Sequence, residues 1–171
     1  YLLMAGPGAR RLAGTNRAFL IDGVAILPIT GPIFPRANMM TEYSGATSIN
    51  TLTDDYRKAL DSTDVGAILM LLDSPGGQVS GINAFADIVA AGTKKKYTTA
   101  FVAGSAASAA YWIACGASEI AMERTGMVGS IGVVAAIPVQ VAPDGGGDIW
   151  IEIVSTQHRE RRRASSRCAA P

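Results

Sequence analysis

Six consecutive apolar residues, Ala67-Ile68-Leu69-Met70-Leu71-Leu72, constrain this chain more than any other segment. The run is of strand length, shows no polar alternation and ends in the turn-forming sequence Asp73-Ser74-Pro75-Gly76-Gly77. A strand of that kind is expected to lie buried on both faces of a parallel sheet. Parallel neighbours need helical crossovers, and the flanking sequence supplies them. Before the run, Thr47 or Ser48 can cap a helix reaching about Leu60, with Leu52, Tyr56 and Leu60 inward and Asp54, Asp55, Arg57 and Lys58 outward. After it, Ile82, Phe85, Ala86 and Val89 repeat at helical spacing up to Gly92.

The unit then repeats: a strand over Thr99–Ala103, a Gly104-Ser105 turn and an Ala-rich helix from about Ala106 to Cys115. Val24–Ile29 reads as a strand whose Pro28 requires an edge or bulged position. Glu119–Met122, Ile131–Ala135 and Ile149–Val154 read as further short strands, and 34–45 as a loop. Repeated strand-turn-helix units around a mostly parallel sheet define an α/β fold.

The chain's 171 residues, 49% hydrophobic and 17% charged, suffice for a real core and exclude a disordered or collagenous polymer. Charge is unevenly spread. Residues 1–157 hold 10 Lys+Arg against 13 Asp+Glu, whereas 158–171 carry five Arg and one Glu. The acidic body has no nucleic-acid signature. Two cysteines, Cys115 and Cys168, form no framework and suit a reducing compartment, so a cytoplasmic location is expected. The uncharged stretches 97–118 and 125–143 are interrupted by Gly, Ser and Pro, which favours buried core over membrane spans. The chain begins at Tyr1, so a removed targeting segment stays open.

Two strand-to-helix turns are candidate chemistry. In Ser74-Pro75-Gly76-Gly77, consecutive glycines allow backbone amides to face a carbonyl oxygen, although an ordinary tight turn has the same appearance. In Gly104-Ser105-Ala106-Ala107-Ser108-Ala109-Ala110, small neighbours leave Ser108 accessible at the start of a helix as a candidate nucleophile. Capping or back-bonding by Ser105 and Ser108 is the alternative. Tyr111 and Trp112 read as helix packing and Cys115 as a small core residue. No His/Cys/carboxylate cluster calls for a metal, no cofactor is expected, and Gly145-Gly146-Gly147 lacks a phosphate-loop context.

Taken in order, Leu72-Asp73-Ser74-Pro75-Gly76-Gly77, Ala106 to Ala114 and Gly129-Ser130-Ile131-Gly132-Val133 resemble the signature of the signal peptide peptidase A family of serine proteases. Its phage and prophage members, related to head-maturation proteases, are the nearest in kind. The resemblance covers about Gly23 to Gln157 and includes Pro28 to Phe34. It implies a Clp protease/crotonase-like fold and a peptidase domain over 23–157, between a lead-in over 1–22 and a basic tail over 158–171. It further implies Ser108 as nucleophile, and Gly77 with its neighbour Gly76 and Ala109 as the oxyanion and substrate-binding backbone. Ser130 would be the serine that holds the general base. Polypeptide substrates, among them phage head proteins, and a homo-oligomer are the implied partners.

The family's base is a lysine about fifty residues after the nucleophile. Here that region reads Ser155-Thr156-Gln157-His158-Arg159-Glu160-Arg161. Arginine stays protonated and cannot replace it. A truncated or frame-shifted C-terminus is the expectation, with a genuine basic tail as the alternative. Lys58 and Lys94–Lys96 read as solvated, and His158 lies in the disrupted tail. The rival readings are a catalytically silent assembly domain and, more distantly, a crotonase-type thioester enzyme. The latter lacks an acidic residue beside the helix-opening glycine and gives Ser108 no role.

Overall fold

The computed structural model describes residues 8–37, 45–140 and 148–154. The chain divides into two compact units, Tyr1–Ser130 and Ile131–Pro171. The first is built on a sheet in which β1 (Arg10–Arg11), β2 (Phe19–Ile21), β3 (Val24–Thr30), β6 (Ala67–Ser74), β7 (Tyr97–Ala107) and β8 (Glu119–Met122) lie side by side, while β9 (Met127–Gly129) also pairs with β7. β3, β6, β7, β8 and β9 are parallel; β1 and β2 are antiparallel additions. The short strands β4 (Ile33–Phe34) and β5 (Thr47–Ser48) pair separately. The expected α/β architecture with a mostly parallel sheet is therefore the one that forms.

One face of the sheet presents Ala25, Leu27 and Ile29 of β3, Ile68, Met70 and Leu72 of β6, and Ala100 and Val102 of β7, all buried and aligned by register. Against them pack α1 (Ile49–Asp61), α2 (Ile82–Gly92) and α3 (Ala109–Ala114) through Leu52, Tyr56, Phe85, Val89, Ala110 and Ile113. Ser48 caps α1, accepting from the Thr51 amide. The Tyr56 and Phe85 rings meet edge to face at 5.9 Å. The Tyr56 hydroxyl bonds Thr98 Oγ1 and the Val89 carbonyl, and burial raises its pKa.

Several expectations change. β6 is fully buried on one face only; Ala67, Leu69 and Leu71 on the other are half-buried, because all three helices join one core cluster. Pro28 fits as expected, since β2 pairs β3 only as far as Ile26 and leaves that side of Pro28 without a ladder partner. Asp55 is buried rather than solvated: its carboxylate accepts from the amides of Asn16 and Arg17 and from the Asn16 side chain. That bond set anchors a segment that reads as an aperiodic lead-in, because two- and three-residue strands are too short to show a period. Asp22 and Gly23, both at positive φ, turn β2 into β3.

In the second unit, β10 (Val134–Gln140) and β11 (Asp148–Val154) form an antiparallel hairpin in unbroken register. The expected strand at Ile131–Ala135 thus starts three residues later. Val128, Ile131, Val133, Val134 and Ile137 are exposed, so the stretch read as buried core from 125 onward is instead largely uncovered as far as Ile137. Among the described residues no helix is long and apolar enough to cross a membrane. The Gly145–Gly147 run, His158, Arg161 and Cys168 lie outside the described residues.

Candidate active site

The two turns meet at one end of the sheet. β6 and β7 run parallel, and their register carries Ser74 opposite Ala106. The Gly104-Ser105 turn expected from sequence does not form; β7 continues to Ala107, because Ser105–Ala107 gain β9 as a partner. The helix accordingly starts only at Ala109, with Ser108 as its N-cap.

Ser108 is half-buried and sits at φ 53° and ψ −119°. Only three non-glycine residues among those described have positive φ: Asp22, Ser108 and Ser130. Such a conformation is strained for a residue with a Cβ and persists only where the surroundings over-determine it. At Ser108 those surroundings are identifiable. Its amide donates to the Gly129 carbonyl at 2.9 Å, and its own carbonyl accepts from Trp112 at 3.0 Å. The hydroxyl makes no capping bond to its helix. Ser130 directly follows the residue whose carbonyl Ser108 binds, so each serine comes directly after the last residue of one of the paired strands β7 and β9.

Gly76 closes the other side. It sits at φ 93°, and a Cβ there would lie 2.6 Å from the Ala107 carbonyl oxygen, 2.8 Å from Ser108 Cβ and 3.0 Å from the Ala109 nitrogen. The Gly76 backbone is thus in contact with the turn that carries Ser108. Its amide is already occupied, donating to Ser74 Oγ at 3.1 Å. Gly77 is held against Ile33: the Ile33 amide donates to the Gly76 carbonyl at 2.9 Å, and the Gln78 amide to the Ile33 carbonyl at 3.0 Å. That pairing turns Gly77's own N–H away from Ile33. Neither the Gly77 nor the Ala109 amide donates to any group among the described residues.

Ser74 opens the turn singled out from sequence, but its side chain has a role that the sequence did not show. Fully buried, its hydroxyl donates to the Gly31 carbonyl at 2.7 Å while accepting from Gly76, so it ties the glycine turn to the end of β3. A serine ahead of Pro-Gly-Gly reads locally as turn chemistry, and its burial depends on a strand 43 residues away.

The chain's four lysines lie elsewhere. Lys94–Lys96 precede β7, whose 11 residues separate them from Ser108 by about 36 Å at ~3.3 Å per residue. Lys95 pairs with Asp61 at 2.7 Å. Lys96 donates to the Ala59 and Ser62 carbonyls, and desolvation, then the neighbouring Lys95 charge, lowers its pKa. Lys58 bonds the Gly14 carbonyl from the same end of α1. Trp112 and Cys115 are exposed rather than packed, because the six-residue α3 buries only Ala109, Ala110, Ile113 and Ala114.

Residues 90–141 match peptidase family S49, the stretch that contains Ser108 and Ser130. The chain is 32% identical over 126 residues to the head-tail preconnector protein GP5 of Enterobacteria phage P21, covering 74% of this chain and 25% of that protein. It is 33% identical over 117 residues to the capsid assembly protease C of Escherichia phage lambda, covering 68% and 27%. The chain thus spans about a quarter of the length of these relatives. Among solved structures it is similar to a membrane-bound stomatin-specific protease, with 21% identity, a TM-score of 0.49, and coverage of 74% of this chain and 53% of that one.

Proposed function

We propose that this chain, whose residues 90–141 match peptidase family S49, carries the nucleophile half of a serine endopeptidase site. The observation that bears most weight is Ser108: a strained serine with no capping bond, packed against Gly76 and followed by Ala109, whose amide, like that of Gly77, has no acceptor among the described residues. In this reading Ser108 Oγ attacks a peptide carbonyl. The amides of Gly77 and Ala109 then receive the negative charge that develops on its oxygen, where fixed donors act most strongly. Gly76 keeps the space between them open, since any side chain there would fill it. Ser130 holds a lysine base that takes the Ser108 proton and returns it to the leaving amine. None of this chain's lysines serves, so the base comes from a residue the chain does not contain.

The substrates are polypeptides, with phage head proteins proposed on the strength of relatives named for capsid assembly and the head-tail preconnector. The missing lysine equally favours a second reading, a silent domain kept for assembly. Treatment with a fluorophosphonate at about pH 9, where hydroxide relieves part of the need for a base, separates the two. The nucleophile reading predicts that mass spectrometry finds the adduct on Ser108 well above Ser105 or Ser118, and none at that position in Ser108→Ala. Equal modification of all three serines supports the silent domain.

A further inference from the structure

We infer that Asp73 is a positioning residue, whose carboxylate sets the β7 bulge that delivers Ser108 to the glycine turn; this rests on the reading of Ser108 as nucleophile. The pairing of β6 with β7 is regular from Ala67↔Tyr97 to Leu72↔Val102 and resumes at Ser74↔Ala106. Over that interval β6 advances two residues and β7 advances four. Ala103, Gly104 and Ser105 must therefore be accommodated opposite a single residue, Asp73.

The Asp73 side chain is what occupies the gap. Its Oδ1 accepts from the Ser105 amide at 3.1 Å and lies 3.4 Å from Ser105 Oγ. The carboxyl group rests against the Gly104 backbone so closely that a Cβ at Gly104 would come within 2.8 Å of Asp73 Cγ and 3.2 Å of Oδ2. The Asp73 main chain is fixed from the other side, because its carbonyl accepts from the Gly31 amide at 3.0 Å. Asp73 thus links the end of β3, the end of β6 and the bulge of β7.

Register matters here because a one-residue slip sends every following side chain to the opposite face of a sheet. Beyond the bulge, Ser105, Ala106 and Ala107 pair with Met127, Val128 and Gly129, and the next residue is Ser108. A slip at Ser105 would move Ser108 off the Gly129 carbonyl and away from Gly76. The acceptor that prevents the slip has to reach across from β6, which a carboxylate or carboxamide does and an alanine cannot.

The test compares the full chain with Asp73→Asn and Asp73→Ala, measuring both the fluorophosphonate rate at Ser108 and amide hydrogen exchange. Asp73→Ala is expected to slow modification about tenfold, the factor that corresponds to one lost hydrogen bond. It is also expected to speed exchange at the Ser105 and Ser108 amides while leaving β3 and α1 unchanged. Asp73→Asn, which keeps an acceptor, is expected to stay within about twofold of the parent in both readouts. Parent-like behaviour of Asp73→Ala, or exchange raised across the whole sheet without rescue by asparagine, overturns the assignment. If Ser108 of the parent is not modified at all, the nucleophile reading falls. Exchange then decides alone: local acceleration in Asp73→Ala upholds the positioning role, and unchanged exchange ends it.

Discussion

Replacing Gly76 with alanine tests how tightly the two turns are joined. The added Cβ meets the Ala107 carbonyl oxygen at 2.6 Å, Ser108 Cβ at 2.8 Å and the Ala109 nitrogen at 3.0 Å, and two of those partners are backbone atoms that cannot swing aside. The backbone at φ 93° is itself unfavourable for an L side chain. Strain of that kind costs about 1–3 kcal/mol, and overpacking in a filled site about 1–3 kcal/mol more. The combined loss of about 2–6 kcal/mol is a large share of a domain stability of about 5–15 kcal/mol. Urea unfolding followed by circular dichroism reads the loss as a lowered midpoint, and any folded fraction should show no fluorophosphonate adduct on Ser108. A Gly76→Ala protein within about 0.5 kcal/mol of the parent, the range of an ordinary surface change, would show that the turns are not in contact.

Asp55→Ala removes the acceptor for three N–H groups from Asn16 and Arg17 and should cost about 2–4 kcal/mol, measured by urea unfolding. Tyr56→Phe deletes a buried hydroxyl bonded to Val89 and Thr98 and should cost about 1–2 kcal/mol at neutral pH. The same residue governs alkaline stability. Because burial raises its pKa above the ordinary 10.0, the unfolded chain releases the Tyr56 proton first, so stability is complete below about pH 10 and falls as pH rises beyond it. Unfolding midpoints between about pH 9 and 11.5 should drop less steeply in Tyr56→Phe than in the parent.

Much of this was legible in the residues, and the gaps have physical causes. The apolar run at Ala67–Leu72 and the periods of α1 and α2 marked the sheet and its covering helices. The end of β7 was misread because Gly104-Ser105 is a good local turn signal, overridden by pairing with β9 and by the Asp73 carboxylate. Ser108, Gly76, Gly77, Ala109 and Ser130 stood out through ordered motifs; the structure sets Gly76 against Ser108 and Ala109 and bonds the Ser108 amide to the Gly129 carbonyl. The side-chain roles of Ser74, Asp73 and the buried Asp55 did not stand out, since each acts through a partner more than 30 residues away. Trp112 read as helix packing and Cys115 as a small core residue, yet a six-residue helix has only one buried face.

Ser108 is proposed as a nucleophile short of a base, and replacing the residues after Gln157 with a family-like segment that places lysine near position 161 supplies one, with peptide hydrolysis as the readout. A positioned general base contributes about 10²–10⁴-fold, so the chimera should exceed the parent by that order and lose the gain on Ser108→Ala. Brisk hydrolysis by the parent chain that survives His158→Ala would contradict the account, because a base would then already reach Ser108.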